Sequence, residues 1–334
     1  MIIFLWIGFI AFVLFMLALD LGAFHKGSRV ISAREALRWT GVCVVLALIF
    51  NALLWWMYSH NIFGLGTDPR FPLQGHEAAL QFFTAWLVEQ SLSLDNVFVI
   101  ALIFAYFKIP LQFQHRVLFW GIVGALVMRG AMIALGVALI RHVAWIHYVF
   151  GALLVYAAIK IMLAKEDELE PERNILFRLA KRFYPVTPHL DGERFFTEID
   201  GRRAMTPLFL VLLIIESTDV LFAVDSIPAV FAITQDPFIV FTSNIFAILN
   251  LRSLYFALAA FMDRIRYLKA SLVAVLFFVG FKMAATDHLE ISPEISLIVI
   301  GGFLATGVAA SLIVERRGRN ATPREDDQKA AEGS

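Results

Sequence analysis

Charge is what this sequence has least of. Only 17% of its 334 residues are charged, against 60% hydrophobic. Soluble domains carry roughly 25% charge and less apolar content. Two soluble domains would fit the length, but cores of that size cannot hide so much apolar surface. A soluble enzyme, a disordered chain and a nucleic-acid binder with a basic face are therefore excluded; 28 basic and 28 acidic residues leave no net charge. Cysteine is nearly absent. Cys43 stands alone in an apolar run, allows no intramolecular disulfide or Cys-based metal motif, and reads as a small buried apolar residue. There is no Walker-type glycine loop, nucleophile–base pair or cofactor motif, so neither ATP-driven work nor enzymatic chemistry is expected, and no cofactor. The first 20 residues lack the basic n-region and cleavage site of a secretory signal, so that stretch reads as a retained membrane helix.

What is present is a series of long apolar runs. Spans of about 17–25 apolar residues cross a bilayer as helices. Nine candidates occur, at 2–20, 40–58, 79–105, 117–139, 144–163, 207–232, 238–261, 270–287 and 295–314. The fold class expected is an all-α polytopic membrane protein, with a transporter domain over 1–315 and a disordered tail over 316–334. Basic residues orient it. Of the 28 Lys and Arg, 22 lie in alternate loops (21–39, 106–116, 164–206 and 262–269) and the C-terminal tail, while the opposite loops hold only Arg70 and Arg141. This puts the N-terminus outside and the C-terminus inside. In the 164–206 loop, Leu176, Leu179 and Phe183 at helical spacing predict a surface helix over 172–184. The Asp191-Gly192 and Asp200-Gly201 turns predict a small hairpin around 195–199.

The remaining four basic residues, Arg129, Lys160, Arg252 and Lys282, fall inside spans and expose an internal repeat. Asp95, Arg129 and Lys160 are spaced by 34 and 31 residues; Asp219, Arg252 and Lys282 by 33 and 30. The local text matches too, LDNVFVI against TDVLFAV. Spans three to five and six to eight then form two three-helix units of inverted topology, the plan of alternating-access transporters with a site at midplane.

Ionisable residues within spans are costly and mark function. Span three holds Glu89, Asp95 and Asn96; span six holds Glu216, Asp219 and Asp225; span seven adds Asn244 and Asn250. Carboxylate and amide oxygens form a hard ligand set suited to Mg²⁺, Ca²⁺ or Mn²⁺. One straight helix cannot aim all of span six's acids at one ion, since Glu216 and Asp225 lie on opposite faces. Either span six kinks or unwinds near Ser226 and Pro228, or some acids serve a gate or proton path. Arg129, Arg252, Lys160 and Lys282 are the counter-ion or gating candidates, holding the bundle by pairing with acids or standing in for the cation.

At these residues the sequence resembles the TerC family, and within it the Alx-type bacterial members. The resembling text is EQSLSLDNVFVI at 89–100, HRVLFWGIVGALVMRG at 115–130, ESTDVLFAVDSIPAVFAIT at 216–234 and FTSNIFAILNLRSLYF at 241–256. The resemblance implies a multi-pass bacterial inner-membrane protein related to the LysE transporter superfamily, with links to tellurite resistance, alkaline pH and manganese export. It carries the family's acidic positions onto Glu89, Asp95, Glu216, Asp219 and Asp225, with Asn96, Ser226 and Asn244 beside them. Asn250 departs from the small residue expected there, which either disturbs packing or adds a ligand. The leading expectation is a secondary exporter of Mn²⁺ through this midplane site. The alternative is a membrane scaffold that docks metal- or tellurium-resistance partners through the 164–206 loop. The bilayer and the divalent ion are the expected partners; protein partners, metal selectivity and coupling ion are not fixed by the sequence.

Overall fold

The computed structural model describes residues 2–24, 33–67, 72–143, 145–163, 178, 182, 185–187, 189–199, 202–258, 268–285 and 291–321. Among these residues nine helices form, one over each apolar run. They are α1 (Ile2–Phe24), α2 (Ala33–Ser59), α3 (Gly75–Tyr106), α4 (Leu111–His142), α5 (Ile146–Leu163), α6 (Pro207–Phe231), α7 (Pro237–Leu258), α8 (Leu268–Ala284) and α9 (Pro293–Ala321). Eight are long and apolar enough to cross a membrane. The exception is α8, whose 17 residues span about 25 Å at the α-helical rise.

Several helices outrun the apolar stretches that announce them. α2 begins at Ala33 and α4 at Leu111, because backbone hydrogen bonding continues into the interface after the apolar run ends. α9 continues to Ala321, so the start of the segment expected as a disordered tail is helical; 322–334 lie outside the described residues. Caps set some starts. Gln74 and Glu77 form a capping box at α3, and Asp236 Oδ1 accepts from the Phe238 and Ile239 amides at α7, at 2.9 and 3.1 Å, relieving two orphan donors each time. α6 opens on Pro207, where a missing N–H costs nothing.

α3 and α7 are the centre. Their apolar windows are 65% and 83% buried, against 22% for α1 and α2. α3 packs on α7 and α4 on α6, two pairings that exchange under a swap of the two units. The equivalent helices also touch each other, as α3–α6, α4–α7 and α5–α8. That is the contact pattern a pseudo-two-fold through the bundle produces. The α5–α8 contact is the most extensive. There Gly151 and Gly280 bring the two backbones together, since a Cβ on either would lie 3.0–3.1 Å from the other's carbonyl oxygen, a small-residue crossing of membrane type.

The expected hairpin is present. β1 (Phe196–Ile199) pairs antiparallel with β2 (Arg202–Met205). It is fastened to the start of α4 by Arg116, which bonds Glu193 at 3.4 Å and lies 5.2 Å over the Phe195 ring. Of the surface helix expected over 172–184, only Arg178 and Arg182 are among the described residues, both helical. Cys43 is buried as expected.

Candidate functional site

Arg129 sits on the inward stripe of α4, where Leu118, Ile122, Ala125, Arg129, Ile133 and Gly136 recur at steps of three and four, the signature of a buried helix face. Neighbouring stripes supply its partners. Glu89 and Asn96 are seven apart on α3, Asp219 and Ser226 seven apart on α6, and two helical turns return each pair to one face. Asn244 comes from α7.

The guanidinium is fully buried, and among the described residues its hydrogen-bond partners are side-chain oxygens. Nε donates to Asp219 Oδ2 at 3.3 Å and Nη2 to Asp219 Oδ1 at 3.0 Å. Nη1 donates to Asn244 Oδ1 at 3.0 Å, to Ser226 Oγ at 3.4 Å and to Glu89 Oε1. With its amide turned to satisfy both ends, Asn96 accepts from Nη2 at 3.3 Å and donates to the Leu92 carbonyl at 3.2 Å. Side chains from four helices thus meet at one cation. The charge-assisted, two-point bond to Asp219 suits the planar guanidinium fork, and such full pairing is what makes a buried charge tolerable.

Among the described residues two carboxylates face that one guanidinium, and the three are not equally enclosed. The side chains of Arg129 and Glu89 are 0% exposed, that of Asp219 11%. Asp219 borders a cavity of about 30 Å³ between α3, α4, α6 and α7, with Asn96 and Thr218 as its other polar walls and Ile100, Leu118, Ile215 and Leu251 among its apolar ones. This is room for a water or a single ion. The cavity residues of α3 and α7 lie C-terminal to Glu89 and Asn244, and those of α4 N-terminal to Arg129. The cavity therefore lies on that side of the cluster.

The four acids whose side chains are described, Glu89, Glu216, Asp219 and Asp225, do not converge. α6 runs as one helix from Pro207 to Phe231, through Ser226 and Pro228, so the unwinding that would have gathered them is not formed. Pro228 falls in the last turn, so the one bond it removes, to the Val224 carbonyl, leaves the helix before it intact. Glu216 is half-buried with its carboxylate over Gly124 of α4, within electrostatic reach of Asp219. Asp225 points elsewhere and feels Lys160. The side chain of Asp95 lies outside the described residues, and among the described residues no three His, Cys, Asp or Glu form a metal cage.

Of the remaining basic candidates, Arg252 is buried in α7 at 3% exposure. Lys282 donates to Ser296 Oγ on α9 at 2.8 Å. Lys160 is exposed in the last turn of α5. Asn250 is no ligand of this cluster. It donates to Gln90 Oε1 at 3.0 Å while Gln90 Nε2 donates to the Ala247 carbonyl at 3.3 Å, pinning α3 to α7. Sequence reading missed Gln90 and Gly124. Gln90's only signal was its place beside Glu89, and Gly124's was the close glycine pair with Gly121.

The profile of the integral membrane protein TerC family matches residues 74–319. The chain belongs to the TerC family. An uncharacterised membrane protein, STKORF319, of Myxococcus xanthus is 50% identical over 312 residues, covering 93% of each chain. A protein of Escherichia coli K12 named "Putative membrane-bound redox modulator Alx" is 43% identical over 303 residues, 90% of this chain and 91% of its own. An uncharacterised membrane protein of Rickettsia bellii is 37% identical over 308 residues, 92% and 97% of the two chains. No solved structure matches this TerC protein. It is an integral multi-pass membrane protein with bacterial relatives.

Proposed function

We propose that this TerC protein is a secondary transporter of the bacterial cytoplasmic membrane that exports a hard divalent cation, and that the ion is manganese. The observation that carries the reading is the buried oxygen cluster of Glu89, Asn96, Asp219, Ser226 and Asn244 at the meeting of four helices, next to an ion-sized cavity. Ionised oxygen ligands held deep in an apolar bundle suit Mn²⁺ or Mg²⁺ and have little use in a protein that only docks partners. The contact pattern of the two three-helix units supports alternating access about the same point. Asp219 and Asn96 are the ligands that an ion in the cavity meets, with Thr218 beside them; Glu89 and Asn244 lie behind Arg129. Asp95 belongs to the site through its repeat equivalence with Asp219. Glu216 and Asp225 line the path rather than the centre.

The relatives' redox name points to another reading. This chain has a single, buried cysteine, so it has no dithiol pair through which to shuttle electrons. A redox effect on cells then follows from metal balance.

The test is the Mn, Mg, Fe, Ca and Zn content of cells lacking their own exporters, with and without the protein. Lowered manganese that returns to the empty-vector level with Asp219→Asn supports the reading. Unchanged metal content, with loss of function on trimming 164–206 instead, supports the scaffold.

A further inference from the structure

We propose that Arg129 is a tethered stand-in for the transported cation: its guanidinium holds the site when metal is absent, and an ion arriving through the cavity takes Asp219 from it. This rests on the transport reading and adds how the site is regulated.

Three observations carry it. The first is the chemistry of the shell. Among the described residues the hydrogen-bond partners of Arg129 are carboxylate, amide and hydroxyl oxygens, the ligands a hard divalent cation would choose. Among the described residues two carboxylates face one guanidinium, so the cluster carries a net negative charge that draws a cation from the cavity toward Asp219. The second is position. Asp219 is shared, bonded to Arg129 on one side and bordering the cavity on the other, whereas Glu89 is sealed behind the guanidinium. An ion in the cavity therefore meets Asp219 and Asn96 while Arg129 still holds them.

The third is a place for the displaced side chain. Glu89 Oε2 and Ser93 Oγ are buried with no hydrogen-bond partner among the described residues, and they lie one turn apart on the same face of α3. A buried polar atom left unpaired is destabilising. Their open acceptor positions are thus a built destination for guanidinium N–H groups released from Asp219. The displaced Arg129 stays paired with Glu89, so its charge is not stranded, and on metal release it returns to Asp219 and resets the site. Arg129 is a positioning residue, and its role is competition rather than ligation.

The experiment measures Mn²⁺ binding to the full-length protein in lipid nanodiscs, and Mn²⁺ flux in proteoliposomes, for wild type, Arg129→Gln, Glu89→Gln and the Glu89→Gln/Arg129→Gln double variant. The double variant keeps the cluster's net charge and covers the case in which Arg129→Gln alone does not fold. Removing the guanidinium should tighten Mn²⁺ binding at least about tenfold, well inside the coupling of two close charges in a partly shielded interior. The tightening is read against wild type, or against Glu89→Gln when only the double variant folds. Flux should fall, because nothing displaces the ion. Equal or weaker binding without Arg129, in folded protein, overturns the inference while leaving the transport reading intact. Absence of Mn²⁺ binding and flux in wild type overturns the transport reading itself.

Discussion

Arg129 and its two carboxylates form one electrostatic unit, so substitutions within it are not additive. Arg129→Met leaves Glu89 and Asp219 buried without a cation, a change that costs about 3–5 kcal/mol in comparable buried pairs. Lower membrane accumulation and a lower unfolding temperature are expected, with part of the loss recovered when Glu89→Gln is added. Equal stability of Arg129→Met and wild type would mean the cluster is not charged as drawn. Asp219→Asn differs, because Arg129 keeps Glu89 and the new amide still accepts a hydrogen bond; near-normal protein levels with lost manganese tolerance are expected. Ser93→Ala removes a buried hydroxyl that has no partner among the described residues, so thermal unfolding should show the variant at least as stable as wild type. These residues were legible in the sequence because charge in an apolar run is expensive. Their pairing was not, since it depends on which faces of four helices meet.

At the level of elements, all nine helices could be read from apolar runs, and the 196–205 hairpin from its turn residues. What could not be read was the continuity of α6. Pro228 and Ser226 suggested a break, yet a proline this close to the C-terminus removes one bond, to the Val224 carbonyl, and its disruption stays within the final turns. A continuous α6 turns Asp225 away from Asp219 by rotation along the helix and leaves Glu216 near Asp219 but over Gly124, which is why the three acids of this helix meet different surroundings. The α5–α8 crossing is equally invisible from periodicity, because Gly151 and Gly280 read as neutral until their backbones meet. Gly280→Val places side-chain atoms against Gly151 O and the Leu154 Cβ, each 3.1 Å from the first added carbon. Overpacking of this kind costs about 1–3 kcal/mol. Thermal unfolding of the purified variant should show that loss, and an unchanged transition would place the crossing elsewhere.

For the molecule as a whole, the alternation of basic loops and the exchange-symmetric helix contacts make the same claim, two inverted units around one buried site. Reporter fusions at Arg178 and after Glu315 should report cytoplasm, and fusions near Thr67 and Pro293 the outside. An outside signal at Arg178 would break the inversion, since α3 and α6 would then enter the membrane from the same side. The measurement that bears most directly on function is Mn²⁺ flux into proteoliposomes containing the purified protein. Wild type should move Mn²⁺ faster than protein-free liposomes, and Asp219→Asn, present at equal amount, should not. Flux that is absent from wild type, or undiminished in Asp219→Asn, would contradict a transport site built around Arg129 and Asp219.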